Sequence, residues 1–209
     1  MEDVLDLYEE EPDPKRPRVC FDEQPYQLIS EVREPLPPKP GKPERYDYEY
    51  GREGTCNIFI FFCPDAGWRE VKVTARRTAI DFAHCMRDLV DVHFPEAEVI
   101  RVVMDNLNTH TPGSLYKVFA PEEARRILRK LDFHFTPKHG SWLNMAEIEL
   151  SVLTGQCLAR RLPDQESVQR EVAAWTKGRN AQRATVTWRF TSAHARAKLQ
   201  RLYPSPSVR

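Results

Sequence analysis

Three carboxylates stand where a phosphodiester-transferring centre needs oxygen ligands. Asp22 ends the apolar run Val19-Cys20-Phe21, Asp105 ends a second one over residues 99–104, and Glu147 lies on the helix opening after Ser141-Trp142-Leu143-Asn144. Breaking or transferring a phosphodiester requires a deprotonated attacking oxygen and an offset for charge on the leaving oxygen. Two Mg²⁺ ions about 3.5–4 Å apart supply both, and hard cations of this kind prefer carboxylate oxygens. In this reading Asp22 bridges the two ions, Asp105 and Glu147 each hold one, and Mn²⁺ is an acceptable substitute. Taken singly, each acid has an ordinary explanation: a turn, a cap, a solvent-facing helix residue. Their joint placement on the elements of one fold is what points to chemistry.

Local spacing narrows the choice of acid. Asn144 lies three residues before Glu147 and Ser151 four after, so the three form a polar stripe on a helix otherwise built from Leu143, Met145, Ile148, Leu150, Val152 and Leu153. A helix apolar on most sides and polar along one strip is buried and faces something hydrophilic. Glu149 competes with Glu147, but the two point about 200° apart at 100° per residue, so only one faces the site. Glu147 shares its face with Asn144 and is the residue expected there. Glu23, beside Asp22 on a strand, is expected on the opposite side of the sheet in a structural role.

The elements that must position these residues follow from periodicity and breakers. Met1 to about Glu11 reads as a short acidic helix with Val4, Leu5 and Tyr8 on one face, and its abrupt start resembles the end of a longer helix. Residues 31–43 are proline-rich and predict an extended, solvated loop. Residues 55–63 are strongly β-prone, Asp65-Ala66-Gly67 supplies a turn, and residues 69–74 alternate at period two, which predicts an antiparallel hairpin. Thr78 and Asp81 have capping-box spacing ahead of an amphipathic helix through Val90. The strand ending at Asp105 follows, then a helix from Pro121 to Leu131, a short strand over 132–136 and the Glu147 helix. Two further helices, near 164–180 and 191–202, have Asp164 and Thr191 as expected N-caps. An antiparallel meander followed by alternating strands and helices is the order of the ribonuclease H-like, integrase-type α/β fold, a mixed five-stranded sheet flanked by helices. In that fold the first and fourth strands are neighbours, so Asp22 and Asp105 are expected side by side. The expected organisation is an N-terminal helix and lead-in over 1–17, a catalytic core over 18–160, and a basic helical C-terminal extension over 161–209.

With these residues in place, the chain resembles the DDE endonuclease domain of bacterial insertion-sequence transposases in the mariner-like superfamily. The resemblance rests on Phe21-Asp22-Glu23, on Asp105-Asn106-Leu107-Asn108-Thr109-His110, and on the run from Pro137-Lys138-His139-Gly140 to Glu147, with Arg45 to Tyr50 similar to the approach to the second strand. It implies a Mg²⁺-dependent enzyme that cuts double-stranded DNA at transposon ends and joins 3′ ends to a target, acting as a homodimer or larger assembly. It implies that Asp22, Asp105 and Glu147 are the metal-binding triad. Relatives carry an N-terminal helix-turn-helix region that this sequence lacks, so two alternatives stand beside it. One is an inactive or partial transposase fragment that binds DNA or a partner. The other is a structure-selective nuclease of the same fold.

Composition fits that picture. The 31 basic and 31 acidic side chains balance overall, yet residues 1–55 hold 15 acids against 8 bases while residues 156–209 hold 3 against 11. A basic tail is a candidate footprint for a polyanion. Arg160, Arg161, Arg179 and Arg183 are its expected DNA contacts or, equally, parts of a protomer interface. Nearer the triad, His110, Lys138, His139 and Asn144 are further candidates for nucleic-acid contact, and Trp142 is expected as a core anchor. The 5 cysteines show no metal-type spacing and an odd count, which indicates buried free thiols rather than a disulfide framework. No apolar run approaches the roughly 18 residues of a membrane span and no signal-peptide pattern follows Met1. The expectation is a bacterial cytosolic protein, nucleoid-associated when active.

Overall fold

A computed structural model describes residues 1–108 and 110–203. Thr109 of the DNLNTH motif and the last six residues of the expected C-terminal extension lie outside the described residues. Five strands form one mixed sheet in the order β3-β2-β1-β4-β5. They are β1 (Arg18–Glu31), β2 (Tyr50–Cys63), β3 (Trp68–Thr74), β4 (Ile100–Met104) and β5 (Leu131–Phe135). β1, β2 and β3 are antiparallel, and β4 and β5 add parallel to β1. Around them lie α1 (Glu2–Glu9), α2 (Ala79–Asp88), α3 (Pro121–Leu128), α4 (Met145–Leu153), α5 (Gln165–Ala181) and α6 (Ser192–Lys198). This is the ribonuclease H-like arrangement expected from the element order.

The central strands are apolar on both faces because both are covered. On β2, Ile58, Ile60 and Phe62 join one cluster with α1, α4, α5 and α6; Phe59, Phe61 and Cys63 join the other with α2 and α3. Cys20 of β1 falls in the first cluster and Val19 and Phe21 in the second, the period-two alternation of a strand. The expected C-terminal extension therefore shares the first cluster, contributing Val168, Val172 and Ala195. All five cysteines are free and buried, as their context implied, and burial pushes the Cys20 and Cys85 thiols up to about 12.

Capping sets the helix starts. Thr78 accepts from Asp81 N–H while Asp81 accepts from Thr78 N–H, and Asp164 and Thr191 cap α5 and α6 as expected. Three details differ from the sequence reading. β1 does not end at Asp22; it runs nine residues further and pairs with β2 out to Glu31 opposite Tyr50. Among the described residues no β4 residue pairs with it beyond Cys20, so β2 is its one strand partner there, with Ile29 N–H bonded to the Leu162 carbonyl, and the stretch tolerates Pro25 and polar side chains. The proline-rich segment is exposed, but it is bridged by Leu36 with Arg45 and Lys39 with Lys42 into a narrow arm. Trp142 is 44% exposed and stacks on Trp188, centroids 6.3 Å apart, instead of entering the core.

Candidate active site

Parallel pairing of β1 and β4 aligns Cys20 with Val103. Asp22 and Asp105 each follow that last pair by two residues, so both chains leave the paired stretch at the same end. The third acid arrives through the segment before α4. Gly140 closes a tight turn there, its N–H bonded to Pro137 O at 2.8 Å; a Cβ at this position would lie 2.6 Å from Pro137 Cγ. Asn144 then does three things with one amide. Its Oδ1 accepts from Ala146 N–H at 3.1 Å and caps α4, while its Nδ2 donates to Phe21 O at 2.9 Å and lies 3.4 Å from Asp22 Oδ2. The cap is therefore also the tie that holds α4 against β1, and it puts Glu147, in the first turn of α4, on the side of Asp22.

The electrostatics agree with that convergence. Burial pushes the Asp22 carboxyl up to about 7; the Glu23 N–H, 2.8 Å away, opposes this, and the charges of Glu147, Glu23 and Asp105 add to it. Asp22 thus stands among three other acids at the edge of an apolar sheet. Hard oxygen donors crowded this way fit a divalent cation. Among the described residues, no three His, Cys, Asp or Glu side chains are already gathered at metal-ligand distance. Asp105 instead bonds His110, and Asp22 the Glu23 N–H.

A consequence for stability follows, with a definite sign. A carboxyl held near 7 in the folded chain and near 3.8 unfolded favours folding fully below about 4 and loses that contribution as pH rises through 7. Asp22→Asn removes the penalty. In chelator the variant is expected to melt above the wild type at pH 8, by roughly 2 kcal/mol once partial solvent access is discounted, and to match it near pH 4. Differential scanning calorimetry at the two pH values checks this; equal melting at pH 8 contradicts it.

His110 is 2% exposed and Asn144 1%. The His110 ring stacks on Phe82 at 4.9 Å and meets Phe21 edge-on at 5.5 Å. Its Nδ1 lies 2.7 Å from Asp105 Oδ1 and its Nε2 3.0 Å from Glu23 Oε2. Desolvation alone would lower its pKa, but the two carboxylates outweigh it and raise the ring to about 9. Glu23, expected on the opposite side of the sheet from Asp22, has a side chain only 2% exposed.

Lys138 and His139 are exposed and, with Asp105, Asn106, Thr136 and Ser141, line an open cavity of about 460 Å³. Lys138 thus shares a cavity wall with Asp105. The tail arginines are largely committed within the chain: Arg160 to Glu171, Arg161 to Glu31 and the Asp47 and Glu49 carbonyls, Arg179 to Glu149. Arg183 is exposed, with its backbone against Gly67. Sequence reasoning missed Arg69, whose side chain is fully buried with its Nε 3.1 Å from Glu149 Oε2. An arginine in an alternating β-strand gives no signal of this kind. Glu149 itself is 0% exposed, while Glu147 is exposed, so the two lie on different sides of α4.

With this geometry in hand, comparison with known proteins is informative. A family model described as DDE superfamily endonuclease matches residues 17–169. Among solved structures, the Mos1 mariner paired-end complex with Mn aligns at TM-score 0.55 and 17% identity, covering 84% of this chain and 52% of that one. A pre-cleavage Mos1 transpososome aligns at TM-score 0.54 and 13% identity, over 86% of this chain and 58% of that one. The Mos1 strand transfer complex aligns at TM-score 0.56 and 14% identity, covering 83% and 51%. At these identities the likeness is one of fold, and this chain spans about half the length of the Mos1 chains. No curated protein matches it. Among the described residues, no helix is long and apolar enough to cross a membrane.

Proposed function

The chain belongs to the DDE superfamily endonucleases, and from that membership we propose that it is a transposase catalytic domain. It cuts double-stranded DNA at transposon ends and joins the 3′ ends to a target. Asp22, Asp105 and Glu147 are the ligands of two Mg²⁺ ions, for which Mn²⁺ substitutes. When bound, such ions lower the pKa of an attacking water or hydroxyl and offset charge on the leaving oxygen.

The observation that supports this reading best is the Asp22 carboxyl, held near 7 by burial and by acids that include both other members of the triad. Crowding acids at a sheet edge costs stability and is explained by a cation that they share. The chain's own groups have distinct parts in the reaction. Asp22 would have to give up its proton before it could hold a cation, so metal affinity is expected to fall below about pH 7. Asn144 fixes the separation of Asp22 from α4. Lys138 and His139, on the wall that includes Asp105, meet the phosphates of an incoming strand as charge partners. The core over 18–160 and the extension over 161–209 act as one body in this proposal, since both feed the same apolar cluster. A role for the tail as an independent DNA-binding module has less support, because Arg160, Arg161 and Arg179 are already paired internally.

The test is incubation of purified protein with Mg²⁺ or Mn²⁺ and duplex oligonucleotides that carry a transposon end, nicked or intact, read on denaturing gels. Nicks and 3′-end joining that need the cation and stop with chelator are the expected products. Metal binding without any strand cleavage on these substrates would leave only the non-catalytic reading.

A further inference from the structure

The buried row Asp105–His110–Glu23 has a use in the proposed metal site, and the inference rests on that reading. We propose that Glu23 and His110 are positioning residues that fix the Asp105 carboxylate for its cation. His110 Nδ1 faces Asp105 Oδ1 at 2.7 Å and Nε2 faces Glu23 Oε2 at 3.0 Å. Nδ1 is hydrogen-bonded to Asp105, while Nε2 lies within ion-pair distance of Glu23 Oε2 but without hydrogen-bond alignment. Phe82 stacks on the ring and Phe21 closes its edge, so the imidazole cannot tilt without breaking apolar packing. Asp105 follows the last residue of β4 and its side chain is 32% exposed, so its strand alone does not hold the carboxylate. The His110 bond takes one oxygen and leaves the other free.

Glu23 closes the far side of the ring, so His110 is held between two carboxylates as well as between two aromatic rings. Glu23 can do so because it alternates with Asp22 along β1, toward the Phe21 face of the sheet, where His110 packs. One dipeptide thus supplies a metal ligand to one side and the anchor of its neighbour's ligand to the other. Groups that orient metal ligands in this way are typically worth about 10–100-fold in metal affinity.

The experiment is Mn²⁺ titration of the full chain, followed by the electron paramagnetic resonance signal of free Mn²⁺, with no DNA present. His110→Phe keeps the ring packing and deletes both ring-nitrogen contacts; Glu23→Met removes the oxygen that faces Nε2; Glu23→Gln restores an oxygen there. Expected is a 10–100-fold loss of affinity for the first two and a substantially smaller loss for the third. In an Asp105→Asn background, His110→Phe should cost nothing more. Unchanged or tighter Mn²⁺ binding in His110→Phe overturns the proposal, as does an equal loss in the Asp105→Asn background, which marks a general effect on the fold. If Asp105→Asn itself leaves Mn²⁺ binding intact, the metal-site reading fails first. Should His110→Phe not fold, the comparison of Glu23→Met with Glu23→Gln decides alone, equal affinities overturning it.

Discussion

Asp105→Asn is expected to lower metal-dependent strand cleavage by about a thousandfold or more while leaving the chain folded. A divalent cation at a reacting phosphate is worth several kcal/mol, and each 1.36 kcal/mol is a factor of ten in rate. Asparagine keeps the shape and one oxygen for the His110 N–H but cannot hold the cation as a carboxylate does. The structural cost is small, because the side chain is one-third exposed and the lost charge assistance in one hydrogen bond amounts to roughly 1 kcal/mol. For a chain of this size that is a shift of about 2–4 °C in melting temperature. Cleavage within tenfold of the wild type, measured on variant protein shown to be folded, would falsify the assignment.

The largest stability effect is expected two residues from the third acid. Glu149→Ala should destabilise the fold by about 3–5 kcal/mol, the usual cost of leaving one buried charge without its partner. Glu149 Oε2 lies 3.1 Å from Arg69 Nε, near enough for an ion pair but without hydrogen-bond alignment, and Glu149 Oε1 accepts from Arg179 Nη2 at 2.7 Å. Burial lowers the pKa of the Arg69 guanidinium and the Glu149 charge opposes this. Arg69 also bonds Asn180 Oδ1 and the Ala184 carbonyl and lies over the Phe62 ring at 5.1 Å, so it fastens the end of α5 to the sheet. Removing Glu149 leaves that arginine its bonds to Asn180 and Ala184 but takes away the opposite charge at its Nε. Glu147→Ala, an exposed change, should fall within about 0.5 kcal/mol of the wild type in stability yet lose cleavage. Thermal melts of the two variants side by side decide the roles; a Glu149→Ala melt equal to that of Glu147→Ala would contradict the division between them.

That division was legible before any coordinates, because helical geometry alone sends Glu147 and Glu149 to opposite faces. The pairing of the strands that lead to Asp22 and Asp105 was legible for a similar reason: the order of strands and helices leaves the first and fourth strands parallel neighbours. What lay outside sequence reasoning depends on contacts between distant residues. Nothing near His110 announces that Glu23, 87 positions earlier, waits across the sheet. The continuation of β1 past Asp22 is set by its partner, since Gln24 to Glu31 acquire strand geometry by pairing with the outer half of β2. Trp142 was misplaced because an indole with apolar neighbours in sequence reads as core. Trp188 and Phe190, more than forty residues on, instead give it a partner at the surface. The tail arginines looked free for DNA because their acidic partners lie elsewhere in the chain.

The central claim is that Asp22, Asp105 and Glu147 cage divalent metal together, and anomalous scattering from Mn²⁺-soaked crystals tests it most directly. The expected map has Mn²⁺ peaks bounded by these three carboxylates, with Asp22 touching both ions where two are present. Peaks that avoid Asp22 and Asp105, or none at saturating Mn²⁺ above pH 7, would contradict it.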